Sequence, residues 1–529
     1  MNVVELVRHQ AEIRPLAPAI IDVRNGRERT LTVGDLYDRA ARIAAGLDAR
    51  GVVAGDAALI FYPMAAELYV FLLALFQLGA VGIFLDPSAG REQIERCCNI
   101  YPPKVFFGSA RAHLLRIVSP AVRRIDLFVG TSWQPGTVTF SSLHAEHRND
   151  VTPLADTAPA LVTFTSGSTG IPKAAVRTHQ FLLAQHRAIA ASLKLTAGTV
   201  DLTTLPIFVL ANLASGVCSV LPQCDMRAPA SCDPGLVIDQ IERHKINSTA
   251  ASPAFIERVA DECIRTSHPL TSLRKVFLGG APVFPGVLQR AQRAFPNAAL
   301  TTIYGSTEAE PMAGIRLDSI SEDDFAAMRN GRGLLVGRAS SFLELRVIRE
   351  QGDRRIGRIS TSDFAEMIVP NESPGEIVVS GEHVLGAYLH EEYGVNKFEV
   401  EGVRWHRTQD MGYLDSRNRL WLLGRCSAKV RDHRGTLYPL AVECAVQHDT
   451  RIARCALVDV SGERVLVIQP HNGGKFNSAA CEQQLGWAGL DRLVTLRRIP
   501  VDSRHNAKVD YPELKLRLQR RGWSSARLF

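Results

Sequence analysis

The segment that most constrains the fold is residues 161–179, which reads LVTFTSGSTGIPKAAVRTH. An apolar run with the composition of a β-strand leads into a loop rich in serine, threonine and glycine, and Lys173 closes that loop. Glycines let backbone N–H groups approach an anion without a Cβ in the way, and the lysine adds a positive charge. The loop residues are Thr165, Ser166, Gly167, Ser168, Thr169 and Gly170. The segment therefore predicts a strand, a phosphate-binding loop and then a helix over residues 180–193.

The spacing of this loop disfavours a mononucleotide P-loop. A P-loop places Lys directly after Gly and then Ser or Thr for magnesium, whereas here Pro172 precedes the lysine and Ala174 follows it. By composition alone, a loop rich in serine, threonine and glycine is more often a plain polar turn than a phosphate site. The ordered string TSGSTGIPK is much narrower than composition and favours phosphate binding.

Short apolar runs alternate with helical patterns along the first half of the chain. Residues 57–61, 81–85 and 104–107 have strand composition, and residues 67–78 between the first two have helical spacing. Residues 246–250 repeat the strand pattern ahead of a helix that begins near Pro253. This alternation predicts an α/β fold of mainly parallel sheets layered with helices.

Composition excludes several classes of protein. With 529 residues, 46% hydrophobic and 22% charged, the chain is typical of a globular protein with a large core. The net charge of +7 is scattered and accompanies no base-reading motif, so no nucleic-acid partner is predicted. The most apolar segment, residues 68–81, is shorter than the roughly 20 residues of a membrane span. Ten cysteines without repeated Cys-x-x-Cys spacing favour reduced thiols in the cytoplasm.

Six further motifs follow the loop in one order. Residues 165–173 resemble the AMP-binding loop of the adenylate-forming superfamily, which comprises acyl-CoA synthetases, luciferases and peptide-synthetase adenylation domains. The later motifs resemble that superfamily's adenine strand, aromatic loop, ribose-proximal strand, ribose segment, hinge and terminal lysine motif. They are KVFLGGAPV at 275–283, TIYGSTEA at 302–309, GEIVVSG at 375–381, RTQDMGY at 407–413, LGR at 423–425 and RHNAKVD at 504–510.

The resemblance implies a large AMP-binding domain over residues 1–424 and a small mobile α+β lid over residues 425–529. It also implies ATP and Mg²⁺ as cofactors and a nucleotide site built from residues of most of these motifs. The adenine and loop positions are Gly280, Ala281, Pro282, Tyr304, Gly305, Ser306 and Thr307. The remaining implied roles are ribose binding for Asp410, nucleotide contact for Arg425, magnesium binding for Glu308 with Thr165, pyrophosphate contact for Lys173, and catalysis for Lys508, Glu308 and Lys173.

The implied reaction joins a carboxylate to the α-phosphate of ATP, with pyrophosphate leaving in line. The carboxylate is already ionised at neutral pH, so this step requires no general base. Two anions must meet, and preplaced cations therefore lower the barrier most.

The chain departs from the acyl-CoA synthetases in three places. The usual Pro-x-Phe-His reads PIFV at residues 206–209, Ser427 stands where Asp or Lys follows the hinge arginine, and the loop over residues 429–439 lacks the usual string that shapes a thiol channel. Transfer of the acyl group to CoA or to a carrier-protein thiol is therefore one alternative rather than the single expectation.

Three strings resemble one branch, the β-lactone synthetases of bacterial olefin biosynthesis: FLDPSAG at 84–90, PIFVL at 206–210 and RHNAK at 504–508. That branch implies a 3-hydroxy fatty acid whose own hydroxyl attacks the acyl-adenylate, giving a β-lactone and AMP. The implied acyl pocket includes Phe208, Asn212, Pro253 and Gly279. The alternatives are a ligase that passes the adenylate to CoA or a carrier protein, and a nucleotide-binding homologue without catalysis.

Overall fold

The computed structural model describes residues 1–24, 26–86, 89–148, 150–166, 172–225, 231–386, 388–389, 394–449, 451–471, 478–501 and 508–520. The chain divides into two compact units. The first comprises Met1–Met226, Asp239–Ala250 and Leu385–Glu392, and the second comprises Arg227–Ile238, Ala251–Val384 and Tyr393–Phe529.

The elements up to residue 251 belong chiefly to the first unit. Its strands are β1 Pro18–Arg24, β2 Arg27–Thr32, β3 Ala57–Phe61, β4 Val81–Phe84, β5 Val105–Gly108, β6 Leu127–Gly130, β7 Val138–Thr139, β8 Pro159–Ser166, β9 Pro172–Thr178, β10 Val200–Thr203, β11 Cys218–Val220 and β12 Ser248–Ala251. The helices over the same part are α1 Val4–Ile13, α2 Val33–Asp48, α3 Ala66–Leu78, α4 Arg91–Ile100, α5 Leu115–Val118, α6 Pro120–Arg123, α7 His179–Ser192, α8 Pro206–Ser215 and α9 Pro234–Arg243.

Parallel pairing dominates the first unit. One sheet has the order β7-β6-β5-β3-β4-β8-β9 and is parallel except for the β8-β9 pair. In a second group β12, β10, β11 and β1 are parallel neighbours and β2 is antiparallel to β1. The predicted α/β class is thus confirmed, and so is the strand that leads into the phosphate loop.

Helices α3 and α7 form where the sequence predicts helices. Every residue of α3 is buried, which accounts for its apolar sequence without a membrane. Among the residues that the structure describes, no helix combines the length and apolarity needed to cross a bilayer. Helix α7 begins where the Thr178 hydroxyl accepts a hydrogen bond from the Phe181 N–H, an N-cap that ends strand β9.

The second unit contains the remaining elements. Its strands are β13 Lys275–Gly279, β14 Ala299–Ser306, β15 Ala309–Arg316, β16 Leu334–Ala339, β17 Glu344–Ile348, β18 Gly357–Ile359, β19 Gly375–Ser380, β20 Lys397–Val400, β21 Val403–Leu414, β22 Leu420–Arg425, β23 Val430–Asp432, β24 Gly435–Leu437, β25 Ile452–Val460, β26 Glu463–Pro470 and β27 Arg492–Thr495. Its helices are α10 Pro253–Arg265, α11 Pro285–Ala294, α12 Glu322–Arg329, α13 Thr361–Met367, α14 Pro439–Val446, α15 Ser478–Gln484 and α16 Tyr511–Arg520.

The main sheet of the second unit is largely antiparallel. Among the pairs whose register the described residues give, β13-β14 and β18-β20 are parallel. Strands β14 through β22 run in the order β14-β15-β16-β22-β21-β19-β17 with antiparallel neighbours. Short hairpins join β14 to β15 and β21 to β22, and such connections permit only antiparallel pairing. The boundary predicted between residues 424 and 425 stays a prediction.

A buried ion pair fixes β21 in this sheet. Arg407 and Glu376 are 1% and 0% exposed, and the guanidinium donates to the carboxylate at 2.8 to 3.1 Å. Its remaining N–H groups donate to the carbonyls of Gly352, Arg354 and Val395. All five donors are therefore used, as burial of an arginine demands.

Candidate active site

The centre of the site is the carboxylate of Asp410 on β21. The Tyr304 hydroxyl donates to its Oδ2 at 2.8 Å, and Arg425 Nε lies 3.3 Å from its Oδ1. Asp410 and Arg425 face each other in the β21-β22 register, so the pairing of these strands brings the two side chains together. Arg425 also donates to the Thr408 carbonyl at 2.9 Å. One carboxylate thus connects β14, β21 and β22.

Local backbone conformation sets the direction of this carboxylate. Gln409, just before it, has a φ of 59°, in the left-handed region that few residues other than glycine adopt. The Asp410 N–H donates to the Thr408 hydroxyl at 3.1 Å, which holds the turn. On β22, Gly424 has a φ of 118°, and a glycine at this position lets the chain turn between Leu423 and Arg425 without strain.

Tyr304 stays protonated in this setting. Its burial, reinforced by the neighbouring Asp410 carboxylate, raises the pKa of the phenol well above its usual value. The hydroxyl is therefore a donor to Asp410, and the ring face remains available for a flat ligand.

A cavity of about 290 Å³ opens beside this carboxylate within the second unit. Ten of the residues predicted from sequence line it: Pro253, Gly280, Ala281, Pro282, Tyr304, Gly305, Ser306, Asp410, Arg425 and Lys508. These residues come from six separate sequence motifs or segments that lie up to 255 positions apart, counted from 253 to 508. The fold therefore brings together the positions that the resemblance assigns to adenine, ribose and catalysis.

Glu308 follows the aromatic loop and is half-buried, and its backbone N–H donates to the Ser306 hydroxyl at 3.2 Å. Burial would raise the pKa of its carboxyl, but nearby His406, the bond with Ser306 and nearby Lys397 together lower it. Glu308 is therefore ionised at neutral pH. A hard oxygen ligand in this state suits Mg²⁺, which takes one or two carboxylates and completes its shell with phosphate oxygens and water.

Two buried basic residues beside Glu308 escaped the sequence analysis. Lys397 on β20 lies directly opposite His406 on β21, and each is buried. Burial lowers the pKa of Lys397 to about 7 although the Glu308 carboxylate opposes the shift. Burial and the Lys397 charge hold the pKa of His406 well below its usual value. The one sequence signal for Lys397 is a lysine inside a strand pattern, NKFEV, at residues 396–400.

The cavity also holds a buried acid that sequence gave no reason to select. Glu443 on α14 accepts hydrogen bonds from the Tyr511 hydroxyl at 2.7 Å and the Leu457 N–H at 3.0 Å. Burial raises the pKa of this carboxyl to about 7, against the two hydrogen bonds that lower it. Glu443 and Tyr511 line the same cavity as Lys508.

Several predicted residues lie elsewhere or outside the described chain. Gly167, Ser168, Thr169 and Gly170 are outside the described residues, and for Thr165 and Ser166 only the backbone, as the end of β8, is described. Lys173 on β9 in the first unit has its Nζ 5.6 Å from the centre of the Tyr388 ring. Thr307 is exposed between β14 and β15. The phosphate roles of these residues stay predictions.

The predicted acyl-pocket residues divide between the two units. Phe208 and Asn212 are buried on α8 in the first unit, whereas Gly279 ends β13 and Pro253 begins α10 in the second. The Asn212 amide donates at 3.0 to 3.1 Å to Asp201, Thr203 and Ser219. These bonds tie α8 to β10 and β11, and a contact of Asn212 with a substrate hydroxyl stays a prediction.

Fold and site together define an adenylate-forming enzyme, and comparison with known proteins supports that class. Residues 7–389 match the family described as AMP-binding enzyme, and the chain belongs to this family. It is an AMP-forming ligase or synthetase.

Two relatives and one solved structure show what this chain is similar to over most of its length. An olefin β-lactone synthetase of Stenotrophomonas maltophilia is 31% identical over 525 residues, covering 94% of this chain and 92% of the relative. A rice 4-coumarate–CoA ligase 2 is 26% identical over 475 residues, covering 85% of this chain and 80% of the relative. Among solved structures, the amide bond synthetase McbA of Marinactinospora thermotolerans has a TM-score of 0.79 at 18% identity, covering 98% of this chain and 99% of that one. The last similarity concerns the fold.

Proposed function

We propose that this enzyme activates an apolar 3-hydroxy fatty acid with ATP and then closes it to a β-lactone. The first step forms an acyl-adenylate and releases pyrophosphate. In the second step the substrate's own hydroxyl oxygen bonds to the acyl carbon and gives up its proton, the bond between the acyl carbon and the phosphate oxygen breaks, and AMP leaves. The observation that carries the adenylation step is the convergence of Tyr304, Asp410, Arg425 and Lys508 on one cavity.

The proposed binding of adenine and ribose rests on the hydrogen-bond acceptors and the aromatic ring that the cavity offers. An ionised carboxylate has about four acceptor positions, so Asp410 retains acceptors for two ribose hydroxyls besides the bonds to Tyr304 and Arg425. The Tyr304 ring offers a face to the adenine base. The small residues Gly280 and Ala281 line the cavity and leave room for a flat ring beside the backbone.

The phosphate half depends on charge. Glu308 would hold Mg²⁺, with Thr165 as a second oxygen ligand, and the ion when bound supplies charge neutralisation at the phosphate oxygens. Lys508 is an exposed residue that lines the cavity, and in this proposal its ammonium group bridges the attacking carboxylate and the α-phosphate. Lys173 would contact the leaving pyrophosphate. These cations act mainly where charge accumulates in the transition state.

The lactone step is supported by the relative of matching length and by the acyl segment. The similarity to an olefin β-lactone synthetase covers 94% of this chain. Residues 206–209 read PIFV, without the histidine of many acyl-CoA synthetases, and form the start of α8, a largely apolar helix with six buried residues. An intramolecular hydroxyl needs no second substrate site, because proximity supplies the effective concentration.

A ligase that transfers the adenylate to CoA or to a carrier-protein thiol is the second candidate. The similarity to a 4-coumarate–CoA ligase over 85% of this chain favours it. The two functions differ in one requirement, since the ligase cannot turn over without a thiol acceptor. In either case we place the reaction in the cytoplasm, where the ten free cysteines of this chain would stay reduced.

The test is an acid panel scored by release of AMP and pyrophosphate. Acids of three kinds, namely 2-alkyl-3-hydroxy, simple fatty and aryl acids, are each supplied with ATP and Mg²⁺, with and without CoA. The proposal expects AMP release on the hydroxy acids without CoA. Turnover that begins only after CoA is added would assign the protein to the thiol ligases instead.

A further inference from the structure

Large apolar side chains protrude from one short part of the first unit. Leu114, Ile117 and Val118 are 60%, 69% and 49% exposed, and Trp133 is 74% exposed. They are four of the fifteen large apolar residues exposed in the described part of the chain, yet they fall within twenty positions. Single exposed apolar residues are normal on a protein surface, but a cluster of this kind calls for a partner.

Hydrogen bonds hold the segments that carry these exposed residues close together on the first unit. Arg116 on α5 donates to the Pro135 carbonyl at 2.9 Å, two residues beyond Trp133, and its guanidinium lies 4.2 Å from the centre of the Phe128 ring. Arg123 on α6 donates to the carbonyls of Arg116 and Ile117 at 3.1 and 2.7 Å. The two arginines thus bind α5, α6 and the loop at Trp133 into one local structure.

The same surface is positively charged. Residues 109–136 contain four arginines, at 111, 116, 123 and 124, and one acid, Asp126. Helix α4 packs against α6. It adds no net charge, because its Arg91 and Arg96 pair with Glu95 and Glu92 within the helix. We call the set Arg111, Leu114, Ile117, Val118, Arg124 and Trp133 the apolar-basic patch.

We propose that the apolar-basic patch docks the enzyme on an anionic lipid surface. Aliphatic side chains and a tryptophan that project from short helices and a loop can enter the headgroup region without a shaped partner. Arginines beside them attract anionic headgroups over about a Debye length.

This inference stands apart from the proposed function, because it concerns a surface of the first unit rather than the nucleotide cavity. It does complement an apolar acid substrate, since such acids partition into bilayers. An enzyme held at the lipid surface meets them at high local concentration.

The test measures binding of the full-length enzyme to sonicated vesicles by flotation. Vesicles of pure phosphatidylcholine are compared with vesicles that contain phosphatidylglycerol. We expect binding to the anionic vesicles, a loss of about tenfold or more in Arg111→Gln/Arg124→Gln, and a similar loss in Leu114→Ser/Ile117→Ser/Trp133→Ser. The matched control is Leu16→Ser/Ile264→Ser, which removes two exposed apolar residues elsewhere and should bind as the native enzyme does.

Two further measurements distinguish a loss of lipid binding from poor folding of a variant. Brominated lipids should quench part of the tryptophan fluorescence of the native enzyme. The share of this quenching that comes from Trp133 should disappear in Trp133→Phe. Pyrophosphate release with a short, water-soluble acid should be the same in the patch variants as in the native enzyme. This assay reports on folding and adenylation and does not depend on binding to vesicles. Absence of vesicle binding by the native enzyme, or equal binding by all variants, would overturn the proposal. Binding of an acidic protein to the patch without vesicle binding would overturn it as well.

Discussion

Tyr304 on β14 donates its phenolic hydroxyl to the carboxylate of Asp410 on β21 at 2.8 Å, across 106 residues of chain. Arg425 holds the other oxygen of the same carboxylate at 3.3 Å. The acceptor proposed for ribose is therefore oriented before any nucleotide arrives. Such preorganisation lowers the cost of binding, because little side-chain freedom is left to lose.

Replacing Asp410 should weaken nucleotide binding directly. Asp410→Ala removes the proposed acceptor of two ribose hydroxyls, and hydrogen bonds to a charged group are worth about 1.5 to 3 kcal/mol each. We expect the Kd for ATP, measured by calorimetry, to rise by about a hundredfold or more. Tyr304→Phe, which keeps the ring and loses one orienting bond, should have a smaller effect. An ATP affinity in Asp410→Ala equal to that of the exposed-site control Asp318→Ala would remove the ribose role.

Lys508 should act on the rate rather than on binding. Its ammonium group is proposed to stabilise charge that develops between the carboxylate and the α-phosphate, so its removal affects the transition state more than the ground state. We expect Lys508→Ala to reduce pyrophosphate release by about a hundredfold to a thousandfold. ATP affinity should stay within a few-fold of the native value, and Lys515→Ala on α16 should leave both quantities unchanged. Equal losses in affinity and rate would contradict this assignment.

Much of this site follows from local sequence patterns. The strand before the phosphate loop and the helix after it are readable because apolar spacing and the Thr178 cap are local signals. The adenine, ribose and hinge motifs each lie in short ordered strings, and residues from each of those strings, with Lys508, line the cavity. Sequence order within each string is enough to select such residues.

Other features depend on contacts between distant residues. The meeting of Glu308 with Lys397 and His406 depends on the β20-β21 register, which no local pattern specifies. Glu443 and Tyr511 meet across 68 positions. The antiparallel sheet of the second unit likewise arises from hairpins whose pairing partners cannot be read from one strand at a time.

The buried pair that fixes β21 should carry a large share of stability. Glu376→Ala leaves Arg407 as an uncompensated buried charge, which typically costs about 3 to 5 kcal/mol. We expect a clear fall in the urea midpoint of unfolding. The matched control is Glu344→Ala on β17, whose partner Arg346 is exposed and whose loss should cost about 1 kcal/mol or less. Equal shifts in the two variants would show that the Arg407 pair does not stabilise the sheet.

Glu443 should make stability depend on pH in a defined direction. Burial raises the pKa of its carboxyl from 4.5 to about 7 in the folded chain, so the folded state holds a proton that the unfolded state releases. Its contribution to stability is complete below about pH 4.5 and is lost as the pH rises through about 7. Relative to Glu443→Gln, the native enzyme should lose on the order of 3 kcal/mol of unfolding free energy between about pH 4.5 and pH 8. Urea curves measured across this range give the difference, and parallel pH profiles for the two proteins would disprove the assignment.

The most direct test of the central claim uses a 3-hydroxy fatty acid with ¹⁸O in both carboxylate oxygens, supplied with ATP and Mg²⁺ in the absence of any thiol. If the acid is adenylated and then closed by its own hydroxyl, mass spectrometry will find one ¹⁸O in AMP and one in an organic product that has lost a single water. Unlabelled AMP, or an organic product that forms only when CoA is added, would contradict the proposed β-lactone synthetase.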